Sequence, residues 1–148
     1  MKKVIIFFIF LISIVTFSQG KKQLQLAFIS KNYKLGFRLY NKEFNMYQKP
    51  YILKGRKKNK IQGYDDANYS GGNILSISPN KKYIVLDYIS KGYVDDGTNK
   101  TLYENYLCVI VDVSKKLVVK EMQEDCGGNW NENNEWVNNG QLIFDGNE

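Results

Sequence analysis

Three pairs of neighbouring acids have the type and spacing that acid–base chemistry requires: Asp65 with Asp66, Asp95 with Asp96, and Glu132 with Glu135. A glycoside hydrolase needs two carboxylates about 5 to 10 Å apart across a cleft, one as general acid and the other as base or nucleophile. Neighbouring acids on loops are more commonly solvated turn residues, and enzymes with this chemistry are usually larger than this chain. Histidine is absent, which removes imidazole bases, histidine-dependent nucleophile triads and histidine-ligated zinc. Two cysteines do not make a structural zinc site by themselves, and no glycine-rich phosphate loop precedes a predicted helix. Asp95-Asp96-Gly97-Thr98-Asn99 lacks the ligand spacing of an EF-hand and reads as an exposed turn. The expectation is a protein with no catalytic residue, metal site or cofactor; a small carboxylate-dependent hydrolase is the enzymatic alternative.

The other chemistry on offer is recognition. Lys54-Gly55-Arg56-Lys57-Lys58-Asn59-Lys60 places five cations in seven residues. It is either a basic loop touching an anionic polymer or an acidic protein face, or a solvated hairpin tip whose lysines discourage edge-to-edge pairing. Tyr64, Tyr69, Tyr93, Tyr103, Trp130 and Trp136 fall in or beside predicted loops, where rings can anchor a protein partner or stack on sugars. Trp130 and Trp136 sit among asparagines and glutamates and are the expected exposed pair. The candidate binding residues are therefore Trp130, Trp136, Tyr64, Tyr69, Lys54, Arg56, Lys57, Lys58 and Lys60.

Charge is divided along the chain. From Gln19 to Gln62 twelve basic residues face one acid, a net of +11, whereas Gly63 to Glu148 carries a net of −7. Such a division steers encounter with a charged partner, or lets the two parts attract each other within one fold.

At the N-terminus, Met1-Lys2-Lys3 precedes an apolar run from Val4 to Phe17, with small residues at Thr16 and Ser18. This is the pattern of a secretory signal peptide over residues 1–18. The run is shorter than the ~20 residues of a spanning helix, so no stable membrane anchor is expected after cleavage and the destination is periplasmic or secreted. Residues 19–148 then make one domain of ordinary size. In an oxidising compartment Cys108 and Cys126 read as a disulfide; the alternative is that Cys108 is a buried thiol packing as a small hydrophobe.

The elements that must position these groups are strands. Ile74 to Ser90 is two apolar runs joined at Ser78-Pro79-Asn80-Lys81, where Pro79 and Asn80 suit the central positions of a type I turn. Lys34 to Tyr40 alternates, with Leu35, Phe37 and Leu39 on one face, and Asn41-Lys42 turns it into Glu43 to Gln48. Gln23 to Ser30 fits a strand or a short helix, and Pro50 suits the start of a short edge strand over Tyr51-Ile52-Leu53. Gln62 to Asn73 is a loop, and the place for a seam if the chain has one; Lys91 to Asn105 is a second loop. Tyr106 to Val113 is apolar on both faces, as a strand in the middle of a core requires, and turns into Leu117-Val118-Val119. Gln141 to Asp145 is the last strand. The fold class is all-β: a small antiparallel sheet domain built of hairpins, blade-like or a sandwich or open barrel.

Ser76-Ile-Ser-Pro-Asn-Lys-Lys-Tyr-Ile-Val-Leu86 resembles the segment that opens a blade in the WD40-like and TolB-type β-propeller repeats. Trp136 to Asp145 resembles a weaker second copy, and Val111 to Val118 the outer hairpin of a blade. The resemblance spans about one to one and a half blades, against the four to eight that close a propeller, so it implies blade-like hairpins rather than a complete propeller. A fragment of a longer propeller-like protein is the alternative, and no functional residue carries over. Taken together, these features predict an exported non-catalytic binding protein with a protein partner, an envelope immunity or inhibitor protein being one instance. A glycan-binding module is the second reading; no nucleic-acid partner is expected.

Overall fold

The computed structural model describes residues 26–122 and 126–147, so the signal-peptide segment lies outside the described residues. All regular structure among them is β: β1 (Ala27–Phe28), β2 (Tyr33–Asn41), β3 (Met46–Lys54), β4 (Lys57–Lys60), β5 (Tyr69–Ser70), β6 (Ser76–Ile77), β7 (Tyr83–Asp95), β8 (Lys100–Asp112), β9 (Leu117–Met122), β10 (Asn129–Trp130), β11 (Glu135–Asn138) and β12 (Gln141–Asp145). The large sheet runs β1-β2-β3-β5-β7-β8-β9, with β4 paired to β3 and β6 to β7, and β10-β11-β12 form a second sheet. Every ladder is antiparallel. The expected all-β domain of hairpins is what the chain forms.

The β7–β8 pair is the centre. Its register matches Ile84 with Val111 and Leu86 with Val109 on one face, and Val85 with Ile110 and Asp87 with Cys108 on the other. The first face shares a core with Leu35, Phe37, Ile52, Ile61 and Tyr64. For β2 and β3 to reach that core the sheet must curl over itself, and the two-residue β5 is the narrow link at which it bends. At the far side Gln62 N–H donates to Lys116 O at 2.8 Å and Val118 N–H to Gln62 O at 2.9 Å. That single parallel bridge ties the chain after β4 to β9 without closing a barrel.

The second face is covered by the small sheet. Register places Trp130, Trp136 and Phe144 in one row across β10, β11 and β12, and the row packs on Tyr83, Val85, Cys108, Ile110 and Met122. Trp130 meets Trp136 edge to face at 5.3 Å between centroids, and Tyr83 meets Phe144 at 5.1 Å. The Cys108–Cys126 disulfide, with Cα atoms 5.6 Å apart, pins the approach to β10 against β8.

The predicted turn at Ser78–Lys81 forms: Lys81 N–H donates to Ser78 O at 2.8 Å, and the Ser78 hydroxyl bonds Tyr83 N–H at 3.0 Å. Several other expectations are corrected. Leu39 does not share the face of Leu35 and Phe37; it is exposed while Tyr40 turns toward the core. The alternation changes phase beside Lys49, which has a left-handed φ of 55°, and the Arg38–Lys49 position is missing from the ladder. Pro50 lies within β3, not at its start. It is tolerated because β3 pairs with β5 through Tyr47 and Gln48 and with β4 from Tyr51 onward, leaving Lys49 and Pro50 outside both ladders. Lys91 to Asn105 is no loop but the outer half of β7 and β8, a two-stranded ribbon with its turn at Asp96–Asn99. Gln62 to Asn73 contributes β5, which joins β3 to β7.

Trp136 is fully buried under this arrangement, so Trp136→Ala should lower unfolding free energy by about 3–5 kcal/mol in urea titrations. Replacing Cys108 and Cys126 together by Ala should remove about 3 kcal/mol through the wider unfolded ensemble, with the native near-ultraviolet spectrum retained.

Candidate functional site

The basic segment forms the hairpin that one of its two readings expected. Lys54 pairs with Lys57 across a two-residue turn, Gly55-Arg56, in which Gly55 takes a left-handed φ of 59°. Lys57, Lys58 and Lys60 are strand residues on β4. Asn59 holds the hairpin from inside, donating through Nδ2 to Ile52 O at 3.2 Å and Lys57 O at 3.1 Å.

Register distributes the cations over both faces. Lys34, Leu53 and Lys58 form one row, and Tyr33, Lys54 and Lys57 form another on the opposite face. Several of these ammonium groups lie over aromatic rings: Lys34 over Phe28 at 4.3 Å, Lys58 over Tyr51 at 5.2 Å and Lys54 over Tyr33 at 5.6 Å from the centroid. Contacts of this kind hold a lysine at about 0.5–1 kcal/mol when exposed, without neutralising it. Lys60 pairs with Asp66 at 2.9 Å. Lys54, Arg56, Lys57 and Lys58 are exposed and make no salt bridge among the described residues. Lys54 and Lys57 face each other directly, a like-charge pair that destabilises a ladder. The hairpin is thus a preorganised, uncompensated positive surface.

The aromatic candidates are placed elsewhere. The expected exposed tryptophan pair is corrected: Trp136 is 1% exposed and Trp130 half-buried, because their shared row covers the β7–β8 face. Tyr64 and Tyr69 are also buried, not presented by an open loop. The Tyr64 hydroxyl reaches Asp87 O at 2.9 Å and Tyr69 O at 3.0 Å, bracing β5 against β7. Tyr69 packs edge to face on Phe44 from the β2–β3 turn, at 5.4 Å. None of Trp130, Trp136, Tyr64 or Tyr69 joins the basic hairpin. Cys108 and Cys126 are bonded to each other.

The acid pairs serve local structure. Asp66 holds Lys60, Asp65 accepts from Ala67 N–H, and Asp96 accepts from Thr98 and Asn99 N–H at the ribbon turn. Those donors, Asn99 N–H first, hold the Asp96 carboxyl below its ordinary value. Glu135 accepts from Asn131, and Glu132 is exposed. A cavity of about 250 Å3 beside the disulfide is lined by none of the six. No group of three or more potential metal ligands gathers among the described residues.

Sequence reasoning missed Phe28, Tyr33 and Tyr51 as the rings beneath the lysines. Phe28 and Lys34 are opposite partners across a tight Ile29–Asn32 turn, a signal present in the polar Ser30-Lys31-Asn32 run. With the geometry set out, comparison with family models, curated proteins and solved structures finds no match for this chain.

Tyr64 supplies a test of the packing behind this surface. Burial, with smaller contributions from Asp87 and Tyr88, pushes its phenol far above the ordinary tyrosine value. A raised folded-state value means the folded protein keeps this proton where the unfolded chain loses it, so stability falls as pH rises above about 10. Tyr64→Phe should flatten that alkaline loss, while costing about 1–2 kcal/mol at neutral pH, both read from urea midpoints at pH 7 and above 10.

Proposed function

We propose that this is an exported, non-catalytic binding protein that engages an acidic face of a protein partner through the β3–β4 hairpin, as an envelope inhibitor or immunity protein would. The observation that carries the reading is the group Lys54, Arg56, Lys57 and Lys58, exposed on an ordered hairpin with no compensating acid among the described residues. Of the two meanings of the charge division, internal neutralisation or an external partner, this favours the second. The Lys54–Lys57 repulsion is relieved when an acidic group docks between or beside them. A cationic surface of this density raises association rates by steering, more than it adds to affinity. The Cys108–Cys126 bond is compatible with an oxidising compartment and supports a periplasmic or secreted destination. The glycan reading loses its main support, since the two tryptophans named for it form the inner row of the small sheet, packed against β7–β8.

Affinity capture from an envelope extract, with bound partners quantified at low and high salt, tests this. A stoichiometric partner should be retained at low salt, and its association rate should fall on the order of tenfold or more when Lys54, Arg56, Lys57 and Lys58 are replaced by Glu. A partner whose on-rate ignores both salt and the fourfold change, or the recovery of none at either salt, would refute the proposal.

A further inference from the structure

Away from the basic hairpin, the outer half of β8 is a sheet edge with no strand laid against it. β9 pairs with β8 only from Cys108 to Asp112, and residues 100–106 are all exposed. Backbone groups along an antiparallel strand point alternately to its two sides. At the ribbon turn Asp96 N–H donates to Asn99 O, so counting back in twos makes Thr101, Tyr103 and Asn105 the residues that bond β7. Leu75 N–H donating to Val85 O on the far side of β7 fixes the same phase. Lys100, Leu102 and Glu104 therefore turn their N–H and C=O groups away from β7, where no strand among the described residues receives them.

Natural sheets blunt a bare edge with proline, a bulge or repelling charge. Outer β8 has no proline and no bulge before Ile110, and its charges, Lys100 and Glu104, are opposite in sign. Between them the exposed side chains of Leu102 and Tyr103 add apolar surface. The corresponding edge of β7 is shielded: the β2–β3 turn brings Phe44 to 5.9 Å from Tyr93 between centroids, and the Lys91 ammonium lies 5.3 Å over the Phe44 ring.

We propose that this edge of β8 pairs with the same edge of a second copy of the chain, antiparallel about a twofold axis at Leu102. Charge and space both select that register. With Leu102 opposite Leu102, each Lys100 stands opposite the other copy's Glu104, and the three outward-facing positions exchange about six inter-chain hydrogen bonds. Within one chain Glu104 already holds the Lys91 ammonium, and Asp95 is the cross-strand neighbour of Lys100. Pairing thus builds a row of alternating sign across four strands: Lys91, Glu104, then Lys100 and Asp95 of the second copy. Beside it Tyr93 and Leu102 meet their own counterparts in an apolar row. The second copy's turn ends level with Tyr106, short of Cys108, where Met122 of β9 takes up the pairing. A register shifted toward β9 sets Leu102 against Glu104 and runs the turn into Met122, and one shifted outward loses both charge pairs. The contact is isologous, so it closes at two copies. So short an edge buries less than the ~1,200 Å2 of stable complexes, and a reversible dimer with a Kd on the order of 0.1–1 mM follows. The surface is separate from the basic hairpin and does not depend on the partner proposed for it.

The test is sedimentation equilibrium of the disulfide-bonded protein from about 10 μM to about 1 mM, with amide hydrogen exchange at both ends of the range. Dimer should accumulate with concentration. Protection should rise at the amides of Lys100, Leu102 and Glu104, and not at Thr101 or Tyr103, which are already bonded to β7. Lys100→Glu and Glu104→Lys each set like charges opposite one another twice and should each weaken self-association about tenfold. Mixed in equal amounts the two variants are complementary and should associate as a heterodimer, a recovery that misfolded variants would not show. Leu102→Pro removes an outward N–H and no bond to β7, and should abolish pairing with the native near-ultraviolet spectrum kept. A monomer at every concentration, protection confined to other amides, or charge variants that stay apart when mixed would overturn the proposal. Protection of these amides in a monomer carrying a co-purified peptide would give the edge to a foreign strand and overturn it equally.

Discussion

Everything in this fold depends on the β7–β8 pair being buried on both faces. An antiparallel ladder ordinarily turns one face to water and one to a core; here Ile84, Leu86, Val109 and Val111 need one cover and Val85, Cys108 and Ile110 need another. The N-terminal strands supply the first by curling back through β5. The small β10–β12 sheet supplies the second, with the Cys108–Cys126 bond holding its approach in place. Two covers on one central ribbon give a short chain more buried apolar area than a single sheet face would, and that area is the main source of its stability.

The same geometry separates the surface chemistry. Cations collect on β1–β4 and their turns, whereas the described acids after Glu43 are spread over the β4–β5 connection, β7, β8, β9, the small sheet and the turns between them. The two populations meet where Lys60 pairs with Asp66 at 2.9 Å. Lys34, Lys54 and Lys58 lie over aromatic rings at β1–β4, contacts that narrow the range of each side chain. The ribbon's outer half lies beyond either cover, which leaves the β8 edge bare from Lys100 to Glu104.

What was legible in the sequence was local. The Ser78–Lys81 turn announced itself through Pro79 and Asn80, and the apolar run over Tyr106 to Val113 announced a strand that is buried on both sides from Cys108 onward, with Tyr106 itself exposed. The disulfide was readable as a pairing of the only two cysteines. The tryptophans misled because their neighbours are polar: Asn131, Glu132, Asn133 and Glu135 serve a turn and the outward side of a short sheet, while the rings point inward. Lys91 to Asn105 misled for a related reason, since a two-stranded ribbon without a cover carries loop-like composition yet keeps its ladder.

The sequence by itself determined the all-β class, the Ser78–Lys81 turn, the uneven charge and the exclusion of histidine chemistry, because each follows from side-chain type and nearest neighbours. Tertiary structure decided which aromatics are core and which lie under lysines, where Leu39 leaves the core face, and that the outer edge of β8 is left without a paired strand. Those depend on register and on which layer covers which face, contacts between residues such as Gly71 and Asp87 or Lys60 and Asp66, whose meeting no local pattern encodes.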